Sequence, residues 1–336
     1  MSVRLVGILG LGSIGMRHAR NLARLGCDVL GYDPSAKAAQ AFESEFGRAA
    51  ANREQLLVES AAVVVATPNR FHLDDLRDAI VAGKPVLVEK PLGHDAELAV
   101  RLVRLAGARG VVLAVSHNLR FRPVVRQVKN FLNEGAIGKP AWARFCCASW
   151  LPDWRPGSDY RGNYAADPRT GGVIFDSIHE FDLAVHLLGP AVLRGAAVER
   201  TGLLEIASED LADIALGHDS GCQTTIHLDY VTRPRRRTLE IGGPGGALFA
   251  DLRTGTVKVT GASGAAQVDY TQPFDPNDEY LAAMQDFLDA AAGRGAPACP
   301  ATDAVETLKL ACAARSFAGL PQSCPAGAGV DLTVIR

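Results

Sequence analysis

Three short stretches hold reactive or anion-seeking groups at spacings that chemistry can use. GLGSIG sets Gly10, Gly12 and Gly15 in a G-x-G-x-x-G pattern, with Asp33 further along at the end of the next apolar run. VEKPLGH drives the apolar residues Pro85 to Val88 straight into Glu89, Lys90 and Pro91. IFDSIHEFD gathers Asp176, His179 and Asp182 within about two helical turns.

Each set has its own chemistry. Gly10 permits a tight turn, Gly12 lets the backbone approach a pyrophosphate, and Gly15 allows a helix to pack on a strand. Ser13 and Ile14 open that helix, whose N-terminus stabilises the anion. The Asp33 carboxylate can accept hydrogen bonds from both ribose hydroxyls and would repel a 2′-phosphate, so the pattern indicates NAD rather than NADP. An ammonium such as that of Lys90 stabilises a developing alkoxide and can relay its proton. His179 has the right chemistry to take a hydroxyl proton, with Asp182 or Asp176 fixing its tautomer. Bland readings stand beside these: Lys90 as a surface partner of Glu89, and the His179 stretch as a solvated polar face. A zinc site is not expected, because Leu183 stands where HExxH needs its second histidine.

The surrounding elements must position these groups. From Arg4 to about Ser116, the strand-like runs RLVGIL, DVLGY, AAVVVA, PVLVE and VVLAV alternate with amphipathic helical segments, which implies a parallel sheet covered on both faces. Gly26, Gly83 and Gly110 mark helix ends. ATPNRFH follows the third strand at the carboxyl edge, where Thr67, Pro68, Asn69 and His72 can line a cofactor site or merely turn and cap the chain. Beyond Arg122 a helix, PVVRQVKNFLNEG, leads into AWARFCCASW and a Pro/Gly-rich loop; strand candidates around Asp213 to Leu216, Gln223 to Val231, Arg237 to Ile241 and Thr256 to Val259 then run on through turns, and two helices close the chain. That texture predicts an α+β domain with a largely antiparallel open sheet. The expected domains are 1–122, a doubly wound Rossmann unit, and 123–336, a unit for substrate binding and oligomer formation. In the second, Ile174, Ile178, Phe181, Val185 and Leu188 form an apolar stripe, with Asp176, His179, Asp182 and His186 opposite.

With GLGSIG, ATPNRFH, EKPLG, HNLRFRP and GGVIFDSIHEFD in this order, nearly the whole chain resembles the Gfo/Idh/MocA oxidoreductase family. The resemblance implies NAD(P)-dependent chemistry on sugars, sugar nucleotides or cyclitols. It also implies that Lys90 lies beside nicotinamide and the reacting carbinol, often before a cis proline, and that His179 is catalytic or substrate-binding. One departure concerns Asp176, which stands three residues before the histidine where relatives usually have an acid four before it. Glu89 and Lys90 border the cofactor on this reading. Substrate contacts fall to Lys90, His179, Asn118, Arg120 and a Pro/Gly-rich loop with Trp154, Arg155 and Tyr160, a loop that could equally be a flap or an oligomer contact. His18 and His94 are expected to be structural.

The bulk composition excludes several classes. With 35 basic and 37 acidic residues, no global field favours nucleic acid or anionic membrane. The basic run Arg233 to Arg237 is expected to be a solvated loop. No apolar run is long enough to span a bilayer, and seven cysteines without CxxC spacing fit a reducing, cytoplasmic setting. The expectation is a cytoplasmic NAD-dependent dehydrogenase acting on CH-OH groups of a small carbohydrate, assembled as a homo-dimer or homo-tetramer. Two alternatives remain: a glycoside hydrolase that oxidises transiently through tightly held NAD, and a non-catalytic NAD-sensing binding protein.

Overall fold

Five valine- and alanine-rich runs form strands: β1 (Leu5–Leu9), β2 (Asp28–Tyr32), β3 (Ala62–Val65), β4 (Val86–Val88) and β5 (Leu113–Val115). The computed structural model, which describes residues 3–264 and 266–319, pairs them all in parallel in the order β2-β1-β3-β4-β5. Parallel neighbours need long crossovers. These are supplied by α1 (Ser13–Arg24), α2 (Ala36–Phe46), α3 (Arg53–Glu59), α4 (Asn69–Val81) and α5 (Ala96–Ala108). Burial on both faces explains the unbroken apolar strands: Val63, Val64 and Val65 are all inaccessible to solvent. Gly26, Gly83 and Gly110 have positive φ at the helix ends.

The second unit starts with α6 (Pro123–Asn133) and β6 (Trp142–Trp150), followed by irregular chain, α7 (Val173–Asp176) and α8 (His179–Leu188). Seven strands follow: β7 (Ala191–Glu199), β8 (Leu211–His218), β9 (Gln223–Asp229), β10 (Val231–Gly243), β11 (Gly246–Asp251), β12 (Thr256–Gly261) and β13 (Ala266–Thr271). The sheet order is β13-β12-β11-β10-β6-β9-β8-β7; β6 and β9 run parallel and the other pairs antiparallel. GGPGG turns β10 into β11, with Gly243 opposite Gly246. Over the first half of β6 burial alternates, with Ala143, Phe145 and Cys147 buried and Trp142 and Arg144 exposed, and from Cys147 to Ser149 the strand is buried on both faces.

Two helices close the described chain, α9 (Asp278–Ala291) and α10 (Ala301–Ser316). Contacts group the residues up to Asn118 with Glu279–Leu308, and Leu119–Asp278 with the end of α10 from Lys309 onward. The sequence boundary after residue 122 leaves α9 in the second unit. The cause of the difference is packing: Met284, Phe287 and Leu288 of α9 enter the core of Val6, Ile8 and Leu22. Burying each such side chain contributes roughly 1.5–3 kcal/mol. A second expectation also fails. Arg233 to Arg237 are not a loop but lie within β10, where Arg236 and Arg237 pair with Ala148 and Cys147 of β6.

Candidate active site

The glycine loop leaves β1 at Gly10, whose φ of 89° and contacts exclude a side chain: a Cβ there would lie 2.7 Å from the Ala66 carbonyl and the Thr67 nitrogen. A Cβ on Gly15 would run into the Gly10 carbonyl oxygen, whereas one on Gly12 meets nothing within 4 Å. Two glycines therefore serve packing, and the middle one borders open space at the start of α1. That helix begins without a side-chain cap and without an acid in its first turn, so its N–H groups suit an anion. Ser13 is exposed and Ile14 half-buried. Asp33 accepts from the Leu11 N–H at 2.8 Å and the Ser35 N–H at 2.9 Å, one bond per oxygen, which leaves each oxygen a lone pair for a ribose hydroxyl. These residues fit the dinucleotide: the open cradle at Gly12 and the uncapped helix follow β1, and the acid after the neighbouring β2 is drawn to the same loop by its bond from the Leu11 N–H.

Further along the same edge, the turns after β3 and β4 are tied together. His72 is buried, with Nδ1 2.7 Å from the Pro91 carbonyl and Nε2 2.8 Å from the Thr67 carbonyl. Burial lowers the imidazole pKa and favours the neutral ring, whose one N–H can serve one of these acceptors at a time. His72 thus positions both turns. Thr67 donates to Asp75 at 2.5 Å, Asn69 is buried at the first turn of α4, and Pro68 is exposed.

Glu89 points away from the surface and meets buried His18 at 2.8 Å, while the Lys90 backbone N–H donates to its other oxygen at 3.2 Å. Burial opposes the charge on Glu89, but the His18 hydrogen bond and the positive charges of His18 and Lys90 prevail and hold its pKa down. Lys90 is half-buried, and its bond to Pro91 is cis. His18, expected to be structural, is the anchor of the Glu-Lys-Pro turn. Asn118 is buried and donates to Glu279 at 2.6 Å.

In the second unit, the stretch around His179 is not a helix with one polar face. It breaks at Ser177 and Ile178 between α7 and α8, and every residue from Gly171 to Ala184 is buried. Partners on distant elements make this burial tolerable. Arg120 grips Asp182 through two bonds of 2.7 and 3.0 Å, with both side chains almost fully enclosed. Arg237 does the same for Glu180 at 2.7 and 2.9 Å. Tyr230 donates its hydroxyl to Asp176. Burial, together with the Asp176 charge, pushes the Tyr230 pKa far above its ordinary value.

Gly172, with φ of 93°, gives the space needed to start α7: a Cβ there would strike the Glu209 carboxylate. The Glu209 carbonyl accepts from the Val173 N–H at 3.1 Å. Its buried carboxylate, its pKa raised by desolvation, meets Arg315 at 3.2 Å, and Arg315 lies over Phe175 with its guanidinium carbon 4.3 Å from the ring centre.

The sequence-chosen residues therefore fall into separate sets. Gly10 to Gly15, Asp33, Thr67, Asn69, His72, Glu89 and Lys90 share the carboxyl edge of the parallel sheet; Arg120, Asp176, His179 and Asp182 share the second unit's buried segment. Arg120 is occupied by Asp182. Trp154 donates Nε1 to Ser149 at 2.8 Å, Arg155 is exposed, and the Tyr160 hydroxyl accepts from the Glu205 N–H at 3.4 Å. Sequence reasoning missed Tyr230, Glu209, Arg237 and Arg315, none of which lies in a recognisable motif. Among the described residues no cluster of three or more His, Cys, Asp and Glu side chains could hold a metal, and no helix is long and apolar enough to cross a membrane.

Residues 4–117 match the model of an oxidoreductase family with an NAD-binding Rossmann fold, and residues 125–249 match the GFO/IDH/MocA C-terminal domain. The 1,5-anhydro-D-fructose reductase of Ensifer adhaerens is 30% identical over 302 residues, covering 87% of this chain and 88% of that enzyme. The myo-inositol 2-dehydrogenase of Thermotoga maritima is 27% identical over 338 residues, 92% and 95% of the two chains. In fold, an oxidoreductase from Agrobacterium radiobacter solved with NAD+, L-tartaric acid and magnesium superposes with a TM-score of 0.83 at 23% identity, covering 95% and 97%. The glycine cradle, the Glu-Lys-Pro turn and the two matched domains together place this chain in the Gfo/Idh/MocA family of NAD-dependent oxidoreductases.

Proposed function

We propose that the enzyme oxidises or reduces a carbinol carbon of a sugar, sugar derivative or cyclitol, with Lys90 and His179 handling the proton. The observation that carries this is Lys90 itself, half-buried at the carboxyl end of β4 on a turn fixed by His18, Glu89 and His72. Bound NAD supplies the hydride acceptor or donor. As the carbinol carbon gives up hydride, its oxygen gives up a proton: the Lys90 ammonium stabilises the developing alkoxide, and His179 accepts the proton. Asp182, held by Arg120, fixes the first turn of α8 from which His179 projects, and Asp176 is held by Tyr230. Asp33 favours NAD over NADP.

Relatives named as acting on 1,5-anhydro-D-fructose and myo-inositol support the substrate class. A panel of sugars, sugar acids, inositols and sugar nucleotides, followed by nicotinamide absorbance with NAD and NADP in parallel, tests the reading. Net NADH with an oxidised product is the expected result. Glycoside consumption without net NADH would indicate transient oxidation, and NAD binding without turnover would indicate a sensor.

A homo-dimer or homo-tetramer fits the open face of the large sheet, where Trp142 of β6 and Phe249 of β11 are exposed; light scattering would show a monomer if this is wrong. The thiols of Cys27, Cys146, Cys147 and Cys222, none of them in a disulfide, suit the cytoplasm.

A further inference from the structure

Arginines recur at alternate positions along β10, at Arg233, Arg235 and Arg237, and the outer two are matched by acids. Arg233 donates to both oxygens of Asp153 at 2.9 and 2.7 Å, and Arg237 to both oxygens of Glu180. The middle one is not: among the described residues no carboxylate forms an ion pair with Arg235, and its charged neighbours include Arg237, Arg253 and Arg122. Arg253 likewise pairs with no acid among the described residues; its Nη1 donates to the Arg235 carbonyl at 2.5 Å. Two guanidinium groups side by side repel each other, and Asp153 and Glu180, which match Arg233 and Arg237, leave the position between them uncancelled.

Both groups line a hollow of about 590 Å³ in the second unit, walled by Trp150 and Trp154, with Arg233 and Asp153 at its rim. That volume accommodates a monosaccharide with a substituent. The walls are fixed. Arg233 lies over the Trp150 ring, 5.0 Å from its centre, and the Trp154 ring, held through Ser149, stands edge-on to Tyr230 at 5.4 Å. Tyr230 is the residue that holds Asp176. Trp154 and Tyr230 thus link a wall of the hollow to Asp176, three residues before His179.

We propose that this hollow binds the anionic substituent of an acidic carbohydrate, a carboxylate or a phosphate, with Arg235 and Arg253 as its charge partners and the two tryptophans against the sugar. The substrate class deepens the function proposed above and rests on it. Guanidinium forks match both anions in geometry, and flat indole faces suit a sugar ring.

Tryptophan fluorescence of the NAD-loaded enzyme, titrated with D-glucuronate, D-glucose 6-phosphate and D-glucose, tests it without requiring turnover. The expected result is that at least one acidic probe binds tenfold or more tightly than D-glucose, the better of the two telling carboxylate from phosphate. The double variant R235Q/R253Q should lose that preference by tenfold or more, and R235K should fall between. Equal affinity for all three probes would overturn the proposal, as would full preference retained in the double variant or, should that variant not fold, in R253Q and R235K alike. Tight binding of an acidic probe with no oxidation of any carbohydrate would sink the proposed reaction and leave this site standing.

Discussion

The two units hold their candidate residues in place by different means. At the carboxyl edge of the parallel sheet, the groups are set mostly by main chain, through a glycine turn, an uncapped helix start and two turns whose carbonyls flank the His72 ring, with the buried Glu89–His18 pair anchoring the Lys90 turn. Around His179, position is set by charge, with Asp182, Glu180 and Glu209 each closed by an arginine from a distant element. A main-chain site exposes its working side chains, so they can be changed without undoing the fold. A site embedded in buried ion pairs ties function to stability, because removing one partner strands the other in a poorly solvating interior.

The largest expected effect tests the first half. Lys90→Ala should lower turnover by about two to four decades, with NAD affinity and thermal midpoint close to wild type, as read by steady-state kinetics and calorimetry. Unchanged turnover would remove Lys90 from the chemistry. The contrasting change is Asp182→Asn, which leaves the buried Arg120 charge unmatched and should cost about 3 to 5 kcal/mol in urea unfolding. A loss of activity at full stability would erase the distinction between the units.

Within the glycine loop, Gly15→Ala forces a methyl into the Gly10 carbonyl and should destabilise by roughly 1–3 kcal/mol. Gly12→Val meets no protein atom at its Cβ; it should spare the fold and weaken NAD binding by about tenfold or more, measured by titration calorimetry. Reversal of that order would mean the cradle is misassigned.

The smallest effect concerns His227 on the second sheet. Its hydrogen bond to Asp229 raises its pKa to about 9, burial opposing and Asp213 adding to the rise. The folded-state value lies above the unfolded one, so the stabilisation is fully present below about pH 6.5 and disappears as pH climbs through 9. With the side chain 40% exposed, screening should limit it to at most about 1 kcal/mol. His227→Gln should flatten the stability profile between these limits, and an unaltered slope would deny the pair any role.

The same contrast explains what could be read in advance. The five parallel strands, the glycine cradle and the Glu-Lys-Pro turn were legible because each is specified by neighbouring residues. The setting of His179 was not, because Tyr230 reaches Asp176 across 54 positions, Arg237 reaches Glu180 across 57, Arg120 reaches Asp182 across 62 and Arg315 reaches Glu209 across 106. Helical spacing brings out Asp182 and Asp176 as acids near the histidine, but not that Arg120 and Tyr230 hold them. The basic stretch in β10 was mistaken for loop because charge in a sequence looks solvated until its acids are found in space.

The parallel pairing of β6 with β9 has a mechanical consequence. A parallel neighbour cannot be reached by a hairpin, so the chain must travel out and return, and everything from Leu151 to Cys222 forms that excursion. His179, Trp154 and Tyr160 all ride on it. The irregular stretch between Trp150 and Val173 is pinned along the way, since the Leu151 N–H donates to the Tyr230 carbonyl at 3.0 Å, Ser208 to the Ala165 carbonyl at 2.6 Å and Arg315 to the Pro168 carbonyl at 2.7 Å, so a change in its length would pull on three distant parts of the unit at once.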